Sequence, residues 1–134
     1  MTSPAVDIAN WLVDQSIVEE FGGNEDWSVH VGRMPTKPEK VVLLYDTGGA
    51  EPQFPNYGPL DQPSFQIDVR SPSYEDAFGK INEIRVFLFN SIEFSTDEYR
   101  YFCAIPISGI MDLGRTEKDC SRLTANFRIY RHAV

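Results

Sequence analysis

The sequence contains few of the residues that build metal and redox sites. It has two cysteines, Cys103 and Cys120, and two histidines, His30 and His132, among 134 residues. None of them stands at the spacing of zinc ligands, so we expect no metal and no cofactor. Two free thiols in a reducing cytosol are the favoured interpretation of the cysteines. A disulfide stays open, because both can fall on neighbouring strands.

Clusters of positive charge and long apolar runs are also missing. The chain has 12 Lys and Arg against 20 Asp and Glu, a net charge of −8, and no two basic residues are adjacent. This balance disfavours binding to nucleic acid and to anionic lipid. No apolar run approaches the roughly 20 residues of a membrane span, and residues 1–7 lack the basic region of a secretory signal. We therefore expect neither membrane association nor specific DNA binding.

Most signatures of catalysis are absent. No Gly-x-Ser-x-Gly elbow occurs, and Gly48-Gly49 is followed by neither a Lys-Ser/Thr pair nor a helix. One catalytic motif is present, because Asp46-Thr47-Gly48 follows the apolar segment Val41–Tyr45 as in retroviral-type aspartic proteases. Those enzymes dimerise and share two aspartates, and Leu113-Gly114-Arg115 loosely matches their downstream segment.

Two observations weigh against the protease. A helix is predicted at 73–89, where that fold has strands, and Pro- and Gly-rich sequence follows the motif at once. The alternative is structural: Asp46 and Thr47 cap a turn, and Gly48 and Gly49 supply positive φ angles. We expect no enzyme, with a dimeric protease using Asp46 kept as an alternative.

Hydrophobic periodicity predicts one α+β domain over residues 1–134. Ser3-Pro4 starts a helix that ends near residues 15–17, and Ser73 caps a second that runs to about Phe89. Alternation and short apolar runs predict six strands, at 27–31, 41–45, 65–69, 99–105, 110–113 and 122–129. The order helix, three strands, helix, three strands favours a mixed, mostly antiparallel sheet with both helices on one face.

Residues 46–63 are expected to form a functional loop. Three glycines and four prolines fall in this segment, which excludes regular structure. Loops of this length are uncommon in compact domains and usually carry function.

Several residues are candidates for a protein interface. Trp11 falls among polar residues of the first helix, and exposed tryptophan is enriched at interfaces. Arg70 and Arg115 lie at strand ends, where the guanidinium fork suits ion pairs between subunits. Ordinary solvated surface is the alternative for each.

Several segments, taken together, resemble the minor capsid, tail completion and tail terminator proteins of long-tailed bacteriophages. The second helix contributes Tyr74, Ala77 and Lys80 to this resemblance. The other matching segments are Val29-His30-Val31-Gly32-Arg33-Met34-Pro35, Leu44-Tyr45-Asp46-Thr47-Gly48-Gly49, Phe65-Gln66-Ile67-Asp68-Val69-Arg70, and Leu113-Gly114-Arg115 to Asn126-Phe127. They cover most of the chain in order and account for the Asp-Thr-Gly motif without a protease.

The resemblance implies a structural virion protein of the tail neck, made in the host cytoplasm. Such proteins form a ring, usually of six copies, on the head-proximal end of the tail tube; it stops polymerisation and joins the head connector, and DNA passes the lumen. A neighbouring neck or head-closure role stays open. The interface residues that we predict are Trp11, Arg33, Asp46, Thr47, Gly48, Gly49, Arg70 and Arg115.

Overall fold

Two helices and eight strands form within residues 3–48 and 60–133, the part of the chain that the computed structural model describes. The fold class is α+β, as the periodicity predicts. The elements in chain order are α1 Pro4–Asp14, β1 Ser28–Val31, β2 Val41–Asp46, β3 Leu60–Asp61, β4 Ser64–Ser71, α2 Tyr74–Ser91, β5 Phe94–Ser95, β6 Tyr99–Pro106, β7 Met111–Arg115 and β8 Ser121–Ala133.

Both helices begin where the sequence predicts. The Ser3 hydroxyl accepts the Val6 N–H at 3.2 Å, and Pro4 occupies the first turn, where its missing N–H costs nothing. The Ser73 hydroxyl caps α2 by accepting the Asp76 N–H at 3.3 Å. Neither described helix is long and apolar enough to cross a membrane.

The sheet is mixed and mostly antiparallel, as predicted. Its strands run in the order β1-β2-β4-β8-β6-β5, and β3 and β7 also pair with β8. Only β1 and β2 are parallel among the pairs formed by the described strands. The 13-residue strand β8 contacts four others and is therefore the centre of the sheet.

Both helices contribute to one core, on one face of the sheet, which confirms the predicted packing. Ile67 of β4 lies opposite Ala125 of β8, and both belong to this core together with Ile8 and Ile81 of the helices. Each fully buried aliphatic side chain of this size contributes about 1.5–3 kcal/mol. We call this side of the sheet the inner face. The alternate strand residues lie on the outer face.

Two details of the predicted fold are wrong. Leu60 and Asp61 form β3 inside the segment predicted to lack regular structure, because their backbones pair with His132 and Arg131. The short strand β5 was not expected either. Most of the predicted loop at 46–63 lies outside the described residues, which include only 46–48 and 60–63 of this segment.

The two cysteines are free and far apart. Cys103 lies opposite Tyr130, near one end of β8, whereas Cys120 precedes Ser121 at the other end. Nine residues of extended chain separate those two points of β8, a distance of about 30 Å. This separation excludes a disulfide between them in this fold.

Candidate interaction surfaces

Trp11 belongs to the core, so its predicted place at an interface is wrong. Its side chain is only 7% exposed. Its ring stacks on Phe87 at 5.1 Å and on Phe94 at 5.2 Å. The physical reason is that α1 contacts both the sheet and α2, so two sides of the helix are buried rather than one.

Asp46 has a structural partner. It ends β2, and its Oδ1 atom accepts the backbone N–H of Ala5 at 2.9 Å. This carboxylate therefore satisfies one of the free donors at the start of α1, where the helix dipole also favours negative charge. The catalytic motif is used here to attach a helix to the sheet.

The two residues after Asp46 extend the pairing with β4. The Thr47 N–H donates to the Ser64 carbonyl at 3.0 Å, and the Ser64 N–H donates to the Gly48 carbonyl at 3.4 Å. Gly48 has φ of +89°, which confirms the predicted positive φ at this position. Gly49 lies outside the described residues.

Arg70 holds the connection between the parallel strands β1 and β2. Its guanidinium donates to the carbonyls of Pro38 at 2.6 Å, Glu39 at 3.1 Å and Thr36 at 3.4 Å. Partial burial lowers the pKa of Arg70 from its ordinary value. That ordinary value lies so far above neutrality that the group stays charged. Arg70 thus fixes a loop of its own subunit.

Arg115 closes the turn between β7 and β8. Its Nε donates to Asp119 Oδ1 at 2.6 Å, and its Nη1 donates to the Ser121 hydroxyl at 2.9 Å. A further bond to the Pro72 carbonyl at 3.3 Å reaches the loop before α2. The side chain remains 47% exposed, so it borders the surface while serving the turn.

Arg33 differs from Arg70 and Arg115, whose guanidinium groups form hydrogen bonds within the subunit. It follows β1, is exposed, and lines a shallow groove with Phe21, His30 and Met34. Within residues 3–48 and 60–133 its guanidinium forms no ion pair.

The structure does not bring the predicted interface residues together at one place. Asp46 and Arg70, for example, lie at opposite ends of the β2–β4 pair.

A buried polar network ties α1 to the sheet. The Tyr101 hydroxyl donates to Asp7 Oδ2, and Arg131 Nη1 donates to the same hydroxyl at 3.1 Å. Arg131 continues to Asp61 Oδ2 at 3.0 Å. Burial and the hydrogen bond to Asp7 raise the pKa of Tyr101 above its ordinary value. Asp7, Tyr101 and Arg131 are at most 7% exposed, so the network serves to attach α1 to the sheet.

A second buried charge lies on the outer face. Asp68 is fully buried. Its Oδ2 accepts a hydrogen bond from Arg122 Nη2 at 2.7 Å, and its Oδ1 accepts one from Gln66 Nε2 at 2.7 Å.

Across the described part of the chain, no three His, Cys, Asp or Glu side chains are arranged to hold a metal ion.

Sequence reasoning missed an exposed apolar stripe on α2. Tyr74, Phe78, Val86 and Phe89 are between 43% and 60% exposed. Their spacing places them along one side of the helix, away from Phe87, which contacts α1. The apolar spacing of α2 predicts a buried stripe of Tyr74, Ala77, Phe78, Ile81, Ile84 and Leu88. That prediction is wrong for Tyr74 and Phe78, which are exposed. We call these four residues the α2 stripe; its end forms a groove with Pro106.

A second exposed apolar set lies on the outer face of the sheet. Ile105 lies opposite Arg128, and Met111 lies opposite Thr124. The Ile107 N–H bonds the carbonyl of Asn126, between those two positions. These partners are two residues apart on β8, which puts the three side chains in one line. Phe102 extends the line by contacting Tyr130 and His132. The outer row comprises Phe102, Ile105, Ile107 and Met111, each between 38% and 48% exposed.

Negative charge is concentrated near the start of the chain. Six carboxylates occur in residues 1–32, and no Lys or Arg does: Asp7, Asp14, Glu19, Glu20, Glu25 and Asp26. All except Asp7 are exposed. The segment that carries Glu19 precedes β1 in the chain and lies beside this edge strand. Glu19 forms a β-bridge with Ser28, and the Gly22 N–H donates to the Val29 carbonyl. We call residues 14–26 the acidic segment.

Comparison with known proteins assigns the family. No curated protein matches the chain. A family model described as bacteriophage tail terminator protein matches residues 8–131 of the 134. The match begins within α1 and ends within β8, so it covers β1 to β7 completely. The chain therefore belongs to the bacteriophage tail terminator family.

Proposed function

We propose that this protein forms a homo-oligomeric ring, of six copies, that caps the head-proximal end of the phage tail tube. Membership of the family makes the chain a structural component of the virion. In the proposed role the ring stops polymerisation of the tube protein, presents the joining surface for the head–tail connector, and lets DNA pass through its lumen.

Exposed apolar surface is the observation that supports assembly most directly. The α2 stripe and the outer row together expose eight large apolar side chains. Large exposed apolar patches on soluble proteins usually mark contacts with other proteins. The tube protein, the connector and further copies of the chain are the partners that the proposed role requires.

The charge distribution fits a lumen through which DNA slides. The acidic segment has five exposed carboxylates and no cation. If this segment faces the lumen, it repels the phosphate backbone and prevents the genome from sticking.

Solution mass tests the ring. The monomer has a mass of 15.2 kDa, so a closed hexamer has about 91 kDa. Light scattering after size exclusion is expected to give this value in at least one salt or magnesium condition, or in the presence of purified tails. A stable dimer as the only assembly contradicts the ring.

Tube capping tests the function itself. Purified protein added to polymerising tube protein is expected to stop growth at normal tail length, which electron microscopy measures. Added to phage tails that lack their terminator, it is expected to restore joining to heads. If the protein leaves tube length unchanged but binds filled heads, a neck or head-closure role replaces the terminator role.

A further inference from the structure

We propose that a groove beside α2 binds an acidic segment of another virion protein. A carboxylate of the segment pairs with Arg85, and an apolar side chain next to it packs between Phe89 and Pro106. The inference rests on the proposed function only for the source of the segment, a protein of the tail or neck other than this chain. The chemistry of the groove follows from the subunit itself.

The groove lies beside the C-terminal half of α2 and is lined mainly by apolar side chains. Val86 is 50% exposed and Phe89 is 60% exposed. The groove measures about 220 Å³, less than the roughly 300–1,000 Å³ of small-molecule sites, so it suits one or two side chains of a polypeptide. Its lining residues are Arg85, Val86, Phe89 and Asn90 of the helix and Pro106 at the end of β6.

Arg85 is a half-buried cation without a counter-charge in the described part of the subunit. Its guanidinium forms neither an ion pair nor a hydrogen bond there. The Nε atom is buried without an acceptor, whereas the Nη1 and Nη2 atoms are not buried. The two Nη groups therefore remain available to a partner, and their positive charge is unbalanced.

The sequence of α2 explains why Arg85 stays unpaired. Charged side chains on a helix pair with partners three or four residues away. Lys80 has such a partner in Glu83, at 3.0 Å. The corresponding positions around Arg85 hold no acidic residue, since they are Ile81, Asn82, Leu88 and Phe89. A carboxylate for Arg85 has to come from outside the helix.

The environment of Arg85 selects a carboxylate that is joined to an apolar group. Because its Nε lies against the protein, the guanidinium is already partly ordered and loses less side-chain entropy on binding than a fully solvated one. Its Nη edge matches the two oxygens of a carboxylate. A purely apolar segment would bury the cation further without pairing it, which costs free energy. An acidic residue beside an apolar one satisfies both the cation and the groove walls.

Two small probes isolate the carboxylate. N-acetyl-phenylalanine and its carboxamide carry the same ring, and only the first has a negative charge. In an NMR titration of the full chain we expect the acid to bind roughly tenfold more tightly than the amide, because a hydrogen bond to a charged group is stronger than one between neutral groups. The signals of the Arg85 and Asn90 side chains are expected to move with the acid.

Two variants remove the free cation in different ways. Arg85→Gln deletes the charge. Asn82→Glu keeps Arg85 but places a carboxylate three residues before it on the helix, so that the cation is paired within the subunit while Val86 and Phe89 stay intact. Both variants are expected to lose the tenfold preference for the acid. Asn82→Gln is the matched control and is expected to keep it, and thermal unfolding checks that all three variants fold.

A cross-link identifies the source of the segment. p-Benzoyl-phenylalanine in place of Phe89 is irradiated after the protein has bound purified tails or heads that lack their terminator, and mass spectrometry locates the product. We expect a tail or neck protein, cross-linked at a segment with Asp or Glu beside an apolar residue. The additional change Asn82→Glu is expected to lower the yield at least several-fold. A cross-link to a second copy of this chain, or to a segment without an acidic residue, overturns the inference.

The remaining outcomes separate this inference from the proposed function. Equal affinity for the acid and the amide, or binding of neither, overturns the carboxylate site. Wild-type protein that prefers the acid but caps no tubes contradicts only the proposed function. Arg85→Gln and Asn82→Glu variants that lose the preference yet cap tubes and join heads like the wild type contradict only this inference.

Discussion

Asp46 and Ala5 are 41 residues apart in the sequence, yet the Asp46 carboxylate accepts the Ala5 N–H at 2.9 Å. This bond joins the end of β2 to the first turn of α1. It also explains why an Asp-Thr-Gly motif occurs without a protease fold. An aspartate at this position satisfies a helix donor and extends a strand pair, and neither task requires a second aspartate from a partner.

Removing the Asp46 carboxylate should weaken the attachment of α1. We expect Asp46→Ala to lower the free energy of unfolding by about 1 kcal/mol, the usual cost of losing a helix N-terminal cap. Urea denaturation measures this change. Asp14→Ala is the control, because this exposed carboxylate lies in the last turn of the same helix, where the dipole disfavours it; its removal should be neutral or slightly stabilising. A wild-type peptidase activity that Asp46→Ala abolishes would restore the protease alternative.

Trp11 separates a core role from an interface role. Trp11→Ala should lower the free energy of unfolding by about 3–5 kcal/mol, because it leaves a large cavity beside Phe87 and Phe94. Phe89→Ala is the control, since its ring is 60% exposed and its loss should cost less than about 1 kcal/mol in the isolated subunit. Chemical denaturation below the assembly concentration compares the two. If both substitutions lowered the free energy of unfolding by the same small amount, Trp11 would have to be an exposed residue.

The Asp68–Arg122 pair should behave as a coupled unit. Arg122→Met leaves the fully buried Asp68 with Gln66 as its one side-chain hydrogen-bond partner among the described residues, so we expect a loss of about 3 kcal/mol. Adding Asp68→Asn should recover part of this loss, because the unpaired charge is then gone. The exposed pair of Arg100 and Glu93 provides the comparison, and Arg100→Met should cost less than about 1 kcal/mol. Additive effects of Arg122→Met and Asp68→Asn would show that the pair is not coupled.

Local signals predicted the elements that local chemistry determines. Ser3 and Ser73 were recognised as helix caps because the capping hydroxyl bonds a donor three residues away in the sequence. The strands of the sheet follow from alternation for the same reason, since the pattern lies within each strand. The family resemblance also rests on such short segments, and the family match over residues 8–131 confirms it.

Long-range contacts decide what the sequence could not predict. A helical wheel places Trp11 beside Asp7 on a polar side of α1, but Asp7 is itself 6% exposed because Tyr101 bonds it from 94 residues away. In β6, the period-two pattern put Tyr101 and Ile105 on one face. A bulge between Tyr101 and Cys103 reverses the alternation and turns Ile105 outward. The outer row therefore has no signature in the sequence alone.

Alkaline pH should test the buried network around Tyr101. Burial and the hydrogen bond to Asp7 raise the pKa of Tyr101 in the folded state above its ordinary value near 10. The folded state therefore holds its proton at pH values where the unfolded state has lost it. The contribution of this group to stability is complete below about pH 10 and declines as the pH rises further, by up to about 1.4 kcal/mol per pH unit.

Tyr101→Phe should remove that part of the pH dependence. At neutral pH we expect the variant to lose about 1–3 kcal/mol, because Asp7 and Arg131 each lose a hydrogen-bond partner in the core. Above about pH 10 the wild type should lose stability more steeply than the variant, so that the two curves converge. Tyr130→Phe is the control, since Tyr130 lies on the outer face against Phe102 and takes no part in the network of Asp7, Tyr101 and Arg131. Urea unfolding between neutral pH and about pH 11 measures both slopes, and parallel curves for wild type and Tyr101→Phe would contradict the raised pKa.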